Sequence, residues 1–160
     1  MTLVSRLLHV RGLVRAPIAL YRAGLGALMG EELLLLEHRG RRSGELRAVV
    51  LEVAERPDDD RFVVVSGLGP RSQWVRNVAA EPRVLVSFGR RRGARAHARR
   101  LDPDETVALL QRYAAAHPSR WRTFEPVVAE WAVPLAAAQG EVDWRRVVPV
   151  IELRLLPPAG

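Results

Sequence analysis

Cysteine is absent from the 160 residues, which removes disulfide frameworks, thiolate nucleophiles and zinc ribbons together. Lysine is absent too. All 25 Lys+Arg residues are arginine, so the net charge of +7 reflects a coding preference as much as a ligand and names no particular partner. A basic surface still favours anionic ones. Aromatic residues make up 6% and are scarcely interleaved with the arginines, so the stacking platform of a single-strand binder is missing and no nucleic-acid partner is expected. Arg6, Arg11, Arg15 and Arg22 interrupt the apolar amino terminus, leaving no run of the roughly 18–20 residues that span a bilayer. A signal-peptide cleavage region is lacking as well. These absences predict a cytoplasmic protein.

Hydrolytic chemistry finds little support. His9, His38, His97 and His117 show no metal-ligand spacing, and neither a Gly-x-Ser-x-Gly elbow nor a phosphate-binding P-loop occurs, so no metal is expected. Asp58, Asp59 and Asp60 follow Pro57 and read as a solvated turn.

What is present fits one domain, with 48% hydrophobic residues to build its core. Residues 3–28 carry leucines, valines and Ile18 at helical spacing among the arginines, with Pro17 dividing them. Residues 1–30 are therefore expected to form an amphipathic helical segment that either covers an open end of a sheet or rests on an anionic membrane. From residue 31 strand patterns take over: Leu33 to Glu37, Leu46 to Glu55, Phe62 to Ser66, Val84 to Phe88 and Ala94 to Leu101, interrupted once by a short helix around Trp74 to Ala80. Such close spacing without long crossover helices predicts an α+β chain whose antiparallel sheet curls into a small barrel over residues 31–160. Asp102-Pro103-Asp104-Glu105 has the composition of a helix start, and Leu109, Leu110 and Tyr113 are expected to face inward. A second helix toward Ala138 is expected to be divided by Pro126 and Pro134, and Val147 to Leu155 reads as a terminal strand with Pro149 at an edge or bulge.

The most chemically suggestive stretch is Gly40-Arg41-Arg42-Ser43-Gly44-Glu45-Leu46-Arg47. Its guanidinium forks match phosphate or carboxylate two bonds at a time, and its glycines admit a ligand close to backbone amides. The same residues also describe a solvated basic turn. Downstream lie the strand and glycine loop Arg61 to Gly69, the Trp-x-x-Asn of Trp74 and Asn77, and Pro82-Arg83-Val84-Leu85-Val86. In this order and spacing, over residues 31–101, the sequence resembles the deazaflavin-dependent nitroreductase and quinone reductase family.

That resemblance implies a split β-barrel of the flavin mononucleotide-binding type with flanking helices, and a reductase using coenzyme F420, whose phospholactyl and polyglutamate tail is strongly anionic. It places Arg41, Arg42, Ser43, Gly44 and Arg47, with Ala48, Val49, Val50 and Leu51, at or near the tail. Val65, Ser66, Gly67 and Leu68 are placed against the deazaflavin ring, and Gln73, Trp74 and Asn77 complete the cofactor set. The acceptor would be a quinone, nitroaromatic or enone, with His117, Arg120, Trp121 and Phe124 as candidates for its pocket; capping and packing are the alternative for those four. The pattern departs from the family where Pro70 follows Gly69, where Ser72 replaces a proline, and where tyrosines of the substrate pocket are missing. Flavin mononucleotide in the same barrel, or a carrier without catalysis, stays open, as does a monomer or a homodimer. No side chain is singled out as catalytic.

Overall fold

Leu34, Leu35 and Leu36 are all at most 1% exposed, so the first strand is covered on both faces. The computed structural model describes residues 32–160; the amphipathic segment expected over residues 3–28 lies outside the described residues. In chain order the described elements are β1 (Leu33–Arg39), β2 (Leu46–Asp58), β3 (Arg61–Val65), α1 (Gln73–Ala80), β4 (Arg83–Phe88), β5 (Arg91–Arg100), α2 (Pro103–Ala116), α3 (Pro118–Ala138), a 3-10 turn (Trp144–Val147) and β6 (Val150–Leu155). The strands close into a barrel in the order β1-β2-β3-β6-β5-β4. Every pairing is antiparallel. Closure leaves no free sheet edge among the described residues, and the split-barrel expectation holds.

Two cores follow from the period-two alternation. Leu34, Leu36, Phe62, Val64, Val86 and Leu153 fill the barrel, and Trp74, Val75 and Val78 of α1 pack into the same cluster. The opposite faces of β3 and β6, carrying Val63, Val65 and Val150, join Leu109 and Leu110 of α2 and Val128, Ala132 and Ala136 of α3. Burying a leucine or phenylalanine side chain is worth about 1.5–3 kcal/mol, so these two clusters hold the helices to the barrel.

Helix α2 starts as its sequence predicts. Asp102 accepts from the Glu105 amide at 2.9 Å, and Glu105 accepts in return from the Asp102 amide at 2.9 Å, a reciprocal cap. Two local readings change. Helix α3 runs through Pro126 and Pro134 unbroken. Both prolines are exposed, opposite buried Val128, Ala132 and Ala136, and the carbonyls they leave unpaired belong to exposed Arg122 and Glu130. The terminal strand starts at Val150 rather than Val147, because residues 144–147 wind into the 3-10 turn and the Pro149 carbonyl instead accepts from the Ser66 amide at 2.9 Å.

Candidate cofactor site

The basic turn is drawn tight by its own backbone. The Gly40 amide donates to the Glu45 carbonyl and the Gly44 amide to the Gly40 carbonyl, each at 2.8 Å. A Cβ on Gly40 would lie 2.7 Å from Ser43 Oγ and 3.1 Å from Arg47 Nε, so a side chain there would displace the serine and arginine that converge on it. Gly44 has φ of +70°, which an L side chain rarely adopts. The turn packs against α1: Gln73 and Asn77, four apart and so on one helical face, reach Arg41. Arg41 Nη1 donates to Gln73 Oε1 and to Asn77 Oδ1, both at 2.9 Å, and the Arg41 amide donates to the same Asn77 Oδ1 at 3.1 Å.

A cavity of ≈ 330 Å³ opens among these groups, lined by Arg41, Arg42, Ser43 and Arg47 together with Gln73, Asn77 and Gly40. Partial burial, then the neighbouring Arg76 and Arg42 guanidiniums, pull Arg41 below the ordinary guanidinium range. Among the described residues neither Arg41 nor Arg42 meets a carboxylate, while Arg47 reaches exposed Glu45 only at 3.8 Å. Like charges gathered in one cleft are relieved by an anion. The donor set suits phosphate or carboxylate oxygens.

A second, more apolar hollow of ≈ 540 Å³ adjoins the first and shares Arg47 and Gln73 with it. Its floor and walls include Ala48, Val49, Leu68 and Trp74, with His38, Arg71 and Ser72. Leu68 is 56% exposed, a large apolar side chain left in the open beside a cationic cleft.

The expected cofactor residues thus separate into lining and support. Arg41, Arg42, Ser43, Arg47, Gln73 and Asn77 meet in the first cavity, and Ala48, Val49, Leu68 and Trp74 in the second. Gly44 closes the turn without lining either. Leu51 packs on the barrel core and Val65 on the helical core, and Val50 lines neither hollow. Ser66 is 2% exposed, its hydroxyl placed on the Gly69 carbonyl at 2.9 Å and Ser72 Oγ at 3.1 Å, so it braces its own loop. Gly67 turns its hydrogen toward Phe124, 3.4 Å from where a Cβ would stand.

The four expected acceptor residues do not form one pocket. His117 and Arg120 border a groove of ≈ 370 Å³ between β2 and α2 that also includes Tyr113 and Glu32. There Arg120 pairs with Glu32 at 2.7 Å and with Glu52 at 3.3 Å, and the Tyr113 hydroxyl donates to Glu52 at 2.9 Å. Burial, and next its bond to Glu52, push the Tyr113 hydroxyl up to about 12. Trp121 and Phe124 face the helical core instead, with Trp121 stacked on Trp144 at 6.3 Å between ring centres.

Several contributors escape a linear reading. His38 continues the inward alternation of Leu34 and Leu36, and a polar residue in that register is a signal that could have been used. Trp131 has none: its Nε1 donates to the Gly67 carbonyl at 2.9 Å across 64 positions. Among the described residues no cluster suited to a metal ion occurs, and no helix is long and apolar enough to cross a membrane.

Comparison with known proteins identifies the family and the fold. Residues 13–128 match the profile of the F420H(2)-dependent quinone reductase family. A solved chain described as a domain-swapped dimer is 25% identical with a TM-score of 0.50, over 77% of this chain and 80% of that one. An F420-H2 dependent reductase, FDR-A, is 25% identical with a TM-score of 0.49, over 77% and 94% respectively. A pyridoxamine 5'-phosphate oxidase candidate from Listeria innocua, 14% identical over 86% of this chain and 94% of its own with a TM-score of 0.50, shares the fold. No curated protein matches the chain in sequence. With more than half of its length matched by the family profile, and with a barrel of the corresponding type, this chain belongs to the F420H(2)-dependent quinone reductase family.

Proposed function

We propose that the chain binds reduced F420 and serves its hydride transfer to an electron-poor acceptor, a quinone, nitroaromatic or enone. The observation carrying this reading is the junction of two unlike cavities through Arg47 and Gln73: one cationic and lined by no carboxylate among the described residues, the other walled by Leu68, Ala48 and Trp74. An anionic tail joined to a flat heterocycle has that same division of charge. When bound, reduced F420 supplies the hydride. Arg41, Arg42 and Arg47 neutralise the tail, Ser43 adds a neutral hydroxyl, and Leu68 and Trp74 offer apolar surface that excludes water from one side of the ring. Ser66 and Gly67 act through the loop that presents Leu68 rather than by touching the ring. We assign Trp121 and Phe124 to support of the helix bearing them, and leave His117 and Arg120 to a separate groove that shares no lining residue with either cofactor hollow.

The family match gives no support to flavin mononucleotide. Fluorescence titration with F420 and with flavin mononucleotide, followed by oxidation of reduced F420 in the presence of quinones and nitroaromatics, tests the reading. Tight F420 binding with turnover is expected; binding without turnover by any acceptor would make the protein a carrier. Light scattering decides whether it is a monomer or, like the solved relative, a dimer. Cytoplasmic placement, with anionic-membrane contact through residues 3–28, is tested by vesicle co-sedimentation and fractionation.

A further inference from the structure

Hydrogen-bond chemistry fixes the orientation of one buried amide and, through it, the protonation of a histidine. Asn77 is 2% exposed and His38 3% exposed. A backbone N–H and a guanidinium N–H can only donate, so the Asn77 atom that meets both the Arg41 amide at 3.1 Å and Arg41 Nη1 at 2.9 Å must be the carbonyl oxygen. The amide's NH2 then points the other way, to His38 Nδ1 at 3.2 Å. Since Nδ2 donates, His38 Nδ1 has to accept, which leaves the imidazole neutral with its proton on Nε2.

We infer that His38 is a positioning residue for the anion cleft: its unprotonated Nδ1 locks the Asn77 amide so that Oδ1 holds Arg41 in place. The relay joins three elements, β1 through His38, α1 through Asn77 and the turn through Arg41, and Gln73 Oε1 accepts the second bond from Arg41 Nη1. Its surroundings enforce the tautomer. Arg47 is the direct cross-strand partner of His38, and its positive charge adds to burial in disfavouring an imidazolium. A proton on Nδ1 would present a donor to a donor, turn the Asn77 amide over and set its NH2 against Arg41. His38 also borders the apolar hollow, so the residue that orders the cleft touches the neighbouring cavity as well. The consequence for ligand affinity rests on the F420 reading proposed above; the consequence for Arg41 does not.

Nitrogen-15 NMR on the full chain tests this without any ligand. The His38 ring is expected to show an unprotonated Nδ1, and Arg41 to show resolved, slowly exchanging guanidinium Nη–H signals. In His38→Leu those Arg41 signals should collapse into the exchange-averaged pattern of a free guanidinium, and in His38→Asn, whose side-chain oxygen can accept from Asn77, they should persist. F420 affinity should follow, weakening about tenfold in His38→Leu and much less in His38→Asn, the scale expected of an outer-shell partner. A protonated Nδ1 in the unmodified protein would overturn the inference even if His38→Leu failed to fold, and so would Arg41 signals indifferent to His38→Leu. Failure of the unmodified protein to bind F420 would sink the functional reading alone, with the Arg41 signals still deciding the relay.

Discussion

The indole of Trp131 donates to the carbonyl of Gly67 at 2.9 Å, while its ring carbons Cδ2 and Cε3 stand 3.0 Å from where a Cβ on Gly69 would lie. One side chain of α3 therefore clamps both glycines of the loop that displays Leu68. Trp131→Phe keeps most of the packing and loses the hydrogen bond. A stability loss of about 0.5–1.5 kcal/mol is expected by denaturant titration, with faster amide exchange across residues 66–69 and weaker F420 binding. Unchanged exchange there would remove the clamp.

Gly67 and Gly69 should respond differently to a methyl group. Gly67 lacks a positive φ and offers ordinary contact distance to Phe124, so Gly67→Ala should be nearly neutral in thermal unfolding. Gly67→Val should push on Phe124 and destabilise by about 1–3 kcal/mol. Gly69 at φ +84° with Trp131 at 3.0 Å should lose at least about 1 kcal/mol as alanine. If Gly67→Val abolished F420 binding at full stability, the residue would touch the ring rather than the helix.

Arg41→Ala and Arg42→Ala should each weaken F420 binding by about 10- to 100-fold at low salt, the range of a charge-assisted hydrogen bond. Arg41 should sit at the upper end because Asn77 and Gln73 hold it in place, whereas Arg42 lacks such support. Raised salt should narrow the gap between wild type and variants. Wild-type affinity in both variants would reduce the turn to a solvated hairpin.

His38 makes stability depend on pH in a defined window. Burial first, then Arg47, hold its folded pKa at about 4 against an ordinary 6.5. Between those values the unfolded chain binds a proton that the folded chain does not, so stability is full above pH 6.5 and falls as pH drops toward 4, by about 3 kcal/mol in total. Glu81, which Arg83 holds at about 2, adds its own loss only at lower pH. Denaturant titrations across pH 4–7 should show this slope in wild type and lose it in His38→Asn; an equal slope in both would acquit His38.

Much of the molecule is legible one segment at a time, because the forces involved are local. The inward alternation of Val84, Val86 and Phe88, the reciprocal cap of Asp102 and Glu105, and the glycine-bounded arginine turn all declare themselves within a few residues. Tertiary structure alone decided which of those residues meet. Asn77 reaches Arg41 across 36 positions and His38 across 39, and Phe124 and Trp131 of α3 are recruited to the Gly67–Gly69 loop. The prolines of α3 illustrate the same limit: propensity argues for a break, but the buried stripe of Val128, Ala132 and Ala136 outweighs two lost bonds on the exposed side. Pairing across a closed barrel depends on which face each strand buries and on which helix covers it, and those energies belong to contacts between distant segments rather than to any stretch of chain.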